Sequence, residues 1–455
     1  MKILYLIKKN KVILLFILAA VFGLTLSFIF SQKVNPTELF IDSMAYKAIA
    51  LNIIENGHFS DPGQPEPNNF RAPIYSLWLA FIYLMLGSFS AAVPIGIIIF
   101  SFTAPLTYLI AREIFNEKIA FLSGLLVAFE PWAAFLTGTI MSEHLFMPIF
   151  MTSIYLFIRY LKLNLPMFLY LSVGLLGISA ITRPNVLYLF PIFLIFAIFK
   201  NRNIKSLRSA AITVLIFFIV VFPWLLRNKV VLGTWQITSV QGFSLYVENF
   251  NYFQVYLGNF KSLDDGYVRA YEITKGYSVT SKEGSEILMK EAVEGIKNNL
   301  FSYIKISALS LPQFFIKNSY SSLGYYLGLK DFKIQSQALG FVKHGNFDEL
   351  WNKIINISLG EKILLLSGAV WPIISAFFIA GAVVAFFDRQ FMKIGIFFAL
   401  FIVFYFDAIT HLMTELARFR IQAQPFIFMF AAAGILHFAN YLCQKLKKNK
   451  APASL

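Results

Sequence analysis

Charged side chains are scarce in this chain, so the ones set beside apolar runs stand out. Asp42 lies in ELFIDSMAYKAIALNI, four residues before Tyr46, and Glu143 lies in MSEHLF. Arg183 lies in ITRPN, Arg227 closes FPWLLRN, and Arg418 and Arg420 lie in ELARFRIQAQP. A carboxylate can take the proton of a hydroxyl or orient it. A guanidinium matches phosphate geometry and keeps its charge when partly desolvated. Brought together, these groups would hold an anionic head group and activate a hydroxyl beside it. Singly, each has a plainer reading: Asp42 as the cap of a surface helix, each arginine as an interfacial anchor reaching water. The question is whether the chain carries them to one face.

The 455 residues are 58% hydrophobic and 14% charged, and 51 of them are Phe. Soluble domains are about a quarter charged, so the bilayer is the solvent this composition calls for. The formal charge of +15 sits in short basic runs between apolar segments. That is the positive-inside pattern, not a nucleic-acid footprint. Cys443 is the only cysteine, which excludes an intrachain disulfide or a thiolate metal cluster. The N-terminal MKILYLIKKNK leads into an apolar run, Val12 to Gln32, too long for a signal-peptide core, so it is expected to stay as a first span.

Further spans of about 20 residues are expected near 89–111, 119–139, 142–160, 166–182, 185–199, 209–226, 363–387, 394–410 and 421–442. Ten spans with a cytoplasmic N-terminus put every basic run on the cytoplasmic side: Lys2, Lys8, Lys9 and Lys11; Arg112 and Lys118; Arg159 and Lys162; Lys200, Arg202, Lys205 and Arg208; Arg389 and Lys393; and Lys445, Lys447, Lys448 and Lys450. The same parity makes 72–87 an interfacial helix and 301–316 a membrane-associated one. The expected fold is an all-α polytopic membrane protein with about ten transmembrane helices, within a range of 10–12. It divides into 1–226, with a first outer loop at 31–88; a mixed-charge extracytoplasmic region at 227–362; and 363–455 with a basic cytoplasmic tail. Both termini are then cytoplasmic, in a bacterial inner membrane, and Asp42, Glu143 and the arginines share the outer face. Glu130, in AFEPW, falls inside a span, where a central charge costs about 2.5–3.5 kcal/mol. It should sit near the outer interface or a polar cavity, and it receives no role.

The ordered set DSMAYKAIALNI, RAPIYSLWLAFIY, MSEHLF, ITRPN, FPWLLRNKVVLGTW and ARFRIQAQPF resembles the family 39-like members of the GT-C glycosyltransferases, from about residue 12 to 442. Protein O-mannosyltransferases and the lipid A aminoarabinose transferase are among them. The resemblance implies an inverting transfer of a sugar from a polyprenyl-phosphate donor to an extracytoplasmic acceptor. It implies Asp42 as the first-loop catalytic acid and Glu143 as the second. It assigns the lipid phosphate to Arg71, Arg418 and Arg420, with Arg183 and Arg227 as further contacts, and makes His411 a possible hydrogen-bond donor. No cofactor and no metal is expected. The loop at 227–362 stands in place of the large C-terminal soluble domain of bigger relatives, which leaves glycan, lipid or protein open as acceptor. The rival readings are a transporter or flippase of lipid-linked sugars, which internal repeats and midplane charges would favour, and a membrane scaffold.

Overall fold

A computed structural model describes residues 10–60, 67–200, 204–412 and 416–450. Lys2, Lys8, Lys9 and Arg202 lie outside them, as do the side chains of Lys205, Lys447, Lys448 and Lys450. Among the described residues every element is helical. The chain opens with α1 (Lys11–Ser31), then α2 (Ile41–Asn56) and α3 (Pro73–Leu86). Next come α4 (Ala92–Phe100) with α5 (Thr103–Ile114), and α6 (Glu117–Ala128) with α7 (Pro131–Thr137). These are followed by α8 (Glu143–Leu163), α9 (Pro166–Ala180), α10 (Leu189–Lys200) and α11 (Ile204–Leu232). Shorter helices fill the next stretch: α12 (Val240–Phe243), α13 (Asn251–Leu257), α14 (Leu263–Ile273), α15 (Lys282–Asn298), α16 (Leu300–Ile316), α17 (Tyr320–Tyr326), α18 (Ile334–His344), α19 (Phe347–Asn356) and α20 (Leu359–Ser367). The chain closes with α21 (Val370–Phe387), α22 (Lys393–Thr410), the single turn α23 (Leu416–Phe419) and α24 (Gln424–Lys450).

All ten expected spans are helical, but not all are full length. Among the described residues seven segments are long and apolar enough to cross a bilayer: Lys11–Ser31, Phe89–Ile114, Glu143–Leu163, Arg208–Leu232, Leu359–Phe387, Lys393–Thr410 and Gln424–Leu446. The α6–α7 pair, bent by 51°, makes an eighth. The expected spans at 166–182 and 185–199 fall short. At 1.5 Å per residue, the 15 residues of α9 reach only about 22 Å, against a hydrocarbon core of about 30 Å. An apolar run in sequence shows that a segment avoids water, not that it is long enough to span.

The centre of the bundle is α8, whose Phe146, Phe150 and Phe157 are wholly buried. It is clasped to α9 by reciprocal serine bonds, Ser153 Oγ to Ser172 O at 2.7 Å and Ser172 Oγ to Ser153 O at 2.8 Å. Between α21 and α24 the backbones touch through two glycines. A Cβ on Gly381 would meet the Phe430 carbonyl, and one on Gly434 the Phe377 carbonyl. Small residues are what such close crossings in membranes require. Gly434→Val should therefore push the two helices apart and cost at least the roughly 1–3 kcal/mol of an overpacked core. A drop in the midpoint of thermal unfolding in nanodiscs checks it; an unchanged midpoint counts against the contact.

Successive helix ends sort into two groups. At one end Lys11 pairs with Glu117 at 2.6 Å, and Arg159 and Lys162 pair with Glu113 at 3.1 and 2.7 Å. There too Lys393 Nζ caps α21 through Phe386 O at 2.7 Å. At the other end lie the start of α8 and the ends of α9 and α22, beside α2, α12 and α23.

Candidate functional site

Asp42 is the second residue of α2, whose N-cap is Phe40 with no side-chain cap bond. The carboxylate does not cap the helix; it turns to two arginines instead. Ser43 Oγ donates to Ile140 O at 2.9 Å and fixes this turn against the segment before α8. Arg71 Nη2 lies 2.8 Å from Asp42 Oδ1, and Arg418 Nη2 lies 2.5 Å from Oδ2. Arg418 also reaches Glu143, Nε to Oε1 at 3.2 Å, and Arg183 Nη1 reaches the same oxygen at 2.7 Å. The five groups form a ladder, Arg71–Asp42–Arg418–Glu143–Arg183, with three cations to two anions. Glu248 brings a third carboxylate to the cavity these groups share.

The ladder faces a cavity of about 310 Å³, lined by Asp42, Tyr46, Arg71, Arg183 and Arg418 together with Gln241, Ser244, Glu248 and Thr410. Glu143 does not line it; 1% exposed, it sits beneath Arg418 and Arg183. Tyr46, one turn after Asp42, lies under the Arg71 guanidinium at 4.9 Å from ring centre, a cation–π contact. Its ring meets Tyr75 edge-on at 4.8 Å. Tyr75 Oη is 3.2 Å from His144 Nδ1, and His144 Nε2 is 2.7 Å from the Thr137 carbonyl. A carbonyl only accepts, so Nε2 carries the proton and Nδ1 accepts from Tyr75. This buried chain braces the floor under Arg71.

Three expected phosphate ligands or donors lie elsewhere. Arg420 is 1% exposed. Its Nη1 donates to Phe314 O and Lys317 O, each at 2.6 Å, and its guanidinium covers the Trp371 ring at 3.3 Å. It ties the end of α16 to the bundle and does not line the cavity. Arg227 donates to Asn68 O at 2.9 Å and Phe59 O at 3.2 Å, with its guanidinium over Trp224 at 4.9 Å. It clamps the loop that delivers Arg71. His411 ends α22, with Nδ1 at 2.5 Å from Ala408 O and Nε2 at 3.4 Å from Tyr303 Oη, and it is not among the cavity-lining residues. Glu130, left without a role by the sequence, caps α7 through Ala133 N at 2.6 Å and accepts from Tyr320 Oη at 3.1 Å.

Glu248 is the charged cavity residue that the sequence reading missed. It lies on a π-helical stretch, Ser244–Phe250, a distortion frequent at functional sites. The one sequence signal was an acid within the aromatic run FSLYVENF. Among the described residues no group of three His, Cys, Asp or Glu is placed to hold a metal ion.

Burial alone pushes the Asp42 carboxyl up, but Arg418 and Arg71 together outweigh it and hold the group well below its ordinary value. A lowered folded-state value means the unfolded chain binds the proton more tightly, so stability rises with pH across that window. The Asp42 contribution is complete at neutral pH and fades as pH falls below the ordinary value of 3.8. The stability gap between the native protein and Asp42→Asn should therefore be flat from about pH 8 to 5 and narrow below about 4. A gap that opens on acidification would contradict the pairing.

Residues 71–226 match the family model described as dolichyl-phosphate-mannose-protein mannosyltransferase. Two crystal structures of the Archaeoglobus fulgidus oligosaccharyltransferase are similar, each at TM-score 0.50 and 14% identity. The complex with Zn and sulfate is matched over 94% of this chain and 49% of that one, and the apo form over 98% and 52%. The chain thus spans about half the length of the oligosaccharyltransferase it matches. The ArnT structure from Cupriavidus metallidurans bound to undecaprenyl phosphate matches more loosely, at TM-score 0.41 and 11% identity over 92% of this chain and 76% of that one. A comparison with curated proteins gave no match. The chain is a multi-pass membrane protein with the GT-C fold, and its residues 71–226 are similar to the dolichyl-phosphate-mannose-protein mannosyltransferases.

Proposed function

We propose that this protein is an inverting glycosyltransferase that takes a sugar from a polyprenyl-phosphate donor and passes it to an extracytoplasmic hydroxyl acceptor. The observation that carries the reading is the ladder: three arginines and Asp42 on one cavity at one end of a membrane bundle. A polyprenyl-phosphate sugar carries one negative charge and leaves as a monophosphate with more. Guanidinium groups fixed in a poorly hydrated site stabilise that growing charge. The acceptor oxygen bonds to C1 from the face opposite the phosphate, and its proton passes to Asp42. The C1–O bond to phosphate breaks, and its electron pair leaves with the lipid.

Both Asp42 oxygens are held by arginines, which makes the carboxylate a poor base. A donor phosphate competes for Arg71 and Arg418. As they turn to it, Asp42 recovers its affinity for a proton, so the base is armed when the leaving group is in place. Glu143 is a positioning residue that holds Arg418 and Arg183 beneath the cavity. The end bearing Lys11, Arg159, Lys162 and Lys393 is the cytoplasmic one by the positive-inside rule, and the cavity opens outward. Residues 238–248 of the region 227–362 complete the lining of the cavity.

The test uses sealed right-side-out vesicles loaded with a panel of undecaprenyl- and dolichyl-phosphate hexoses. At least one donor should be consumed, with inversion at C1. A membrane-impermeant maleimide on Ser244→Cys should block that consumption from outside. Consumption of no donor, or a block only after permeabilisation, overturns the reading.

A further inference from the structure

A second space, of about 360 Å³, adjoins the reaction cavity between α12 and α15. Gln241 lines both and is their shared wall; its Nε2 donates to Tyr188 Oη at 3.4 Å. The partition is held by hydrogen bonds and close packing. Gly242 N donates to Ser285 Oγ at 3.1 Å, Ser285 Oγ donates to Ser239 O, and a Cβ on Gly242 would overlap the Ser285 carbonyl. On α15 the groove is faced by Glu286, Lys290, Glu294 and Lys297, spaced three and four apart on one helix face.

The four charges alternate in sign and sum to zero. None is in an ion pair among the described residues. An anionic or cationic ligand would meet as many like charges as unlike ones. A neutral polyol gains from both, because each hydroxyl donates to a carboxylate and accepts from an ammonium. Side-chain amides such as that of Gln241 offer the same two faces. A few placed polar groups of this kind orient a ligand in a pre-formed cleft.

Resting on the glycosyltransferase reading above, we propose that this groove is the acceptor subsite and takes a neutral, hydroxyl-rich glycan. The glycan lies along α15 and passes its terminal hydroxyl over Gln241 to Asp42. The experiment uses the full-length protein in nanodiscs on an array of neutral, sialylated and amine-bearing oligosaccharides and Ser/Thr peptides. Binding of undecaprenyl phosphate is measured in parallel. A subset of neutral oligosaccharides should bind, and Lys290→Ala/Glu294→Ala should weaken that binding at least 10-fold while undecaprenyl phosphate binds as before. The Lys290→Gln/Glu294→Gln pair keeps side-chain length and guards against a folding defect; it should lose at least part of the affinity. Selective binding of peptides or charged oligosaccharides, no glycan binding, or variants indistinguishable from the native protein overturns the subsite and leaves the donor reading intact. Failure to bind undecaprenyl phosphate overturns the donor reading instead.

Discussion

Asp42→Asn should lower the rate of sugar transfer by about 10²–10⁴-fold, the usual worth of a positioned base, while donor binding holds or tightens. Asparagine keeps the shape of the side chain and its place on α2, so the turn fixed by Ser43 stays. What is lost is the charge that holds Arg71 and Arg418. With the Asp42 charge gone, both guanidiniums meet the donor phosphate against less competition, Arg418 still held through Nε by Glu143. The signature is therefore a split: single-turnover transfer falls while polyprenyl-phosphate affinity does not. Transfer at the native rate would remove Asp42 from the chemistry. A parallel fall in both quantities would make it a structural residue only.

Arg418→Ala should be the more damaging change, because this side chain bridges two acids. Removing one fixed donor to developing charge typically costs about 10²–10³-fold in rate, and here donor affinity falls as well. Stability falls too. Truncating one partner of a buried ion pair costs about 3–5 kcal/mol, and the lower end applies because Asp42 keeps Arg71 and Glu143 keeps Arg183. Lysine should not rescue, since an ammonium on a flexible stem cannot present Nε to Glu143 and Nη2 to Asp42 together. The Asp42→Asn/Arg418→Ala double variant should be far from additive, as expected of groups in one network. An Arg418→Lys protein within threefold of native transfer would show that the bridge is not used.

The contrast between Arg418 and Arg420 marks what sequence could and could not give. Both stand in one short motif, and both were expected at the phosphate. Two residues apart on a helical turn are about 200° apart, so one faces the cavity and the other the end of α16. That geometry was available in the spacing; which of the two faced inward was not. Asp42, Glu143 and Arg183 could be gathered beforehand because topology places helix ends on common faces, and helix ends follow from apolar runs. Glu248 could not, because a π-helical turn breaks the 3.6-residue period that patterns are read with. Arg227 shows a third limit. Its partners are the carbonyls of Asn68 and Phe59, and a bond to backbone leaves no trace in residue identity.

Under the proposed function, the shortness of α9 bears on how a lipid donor reaches the arginines. Its 15 residues end just before Arg183, which meets Glu143 at the start of α8, so this flank of the ladder is carried by an apolar helix only about 22 Å long. Lipids beside such a stub must thin or tilt to cover it, at a fraction of a kcal/mol per ångström of mismatch. Under the proposed function, thinning of this kind would bring the phosphate of the lipid donor towards the arginines with its tail still immersed.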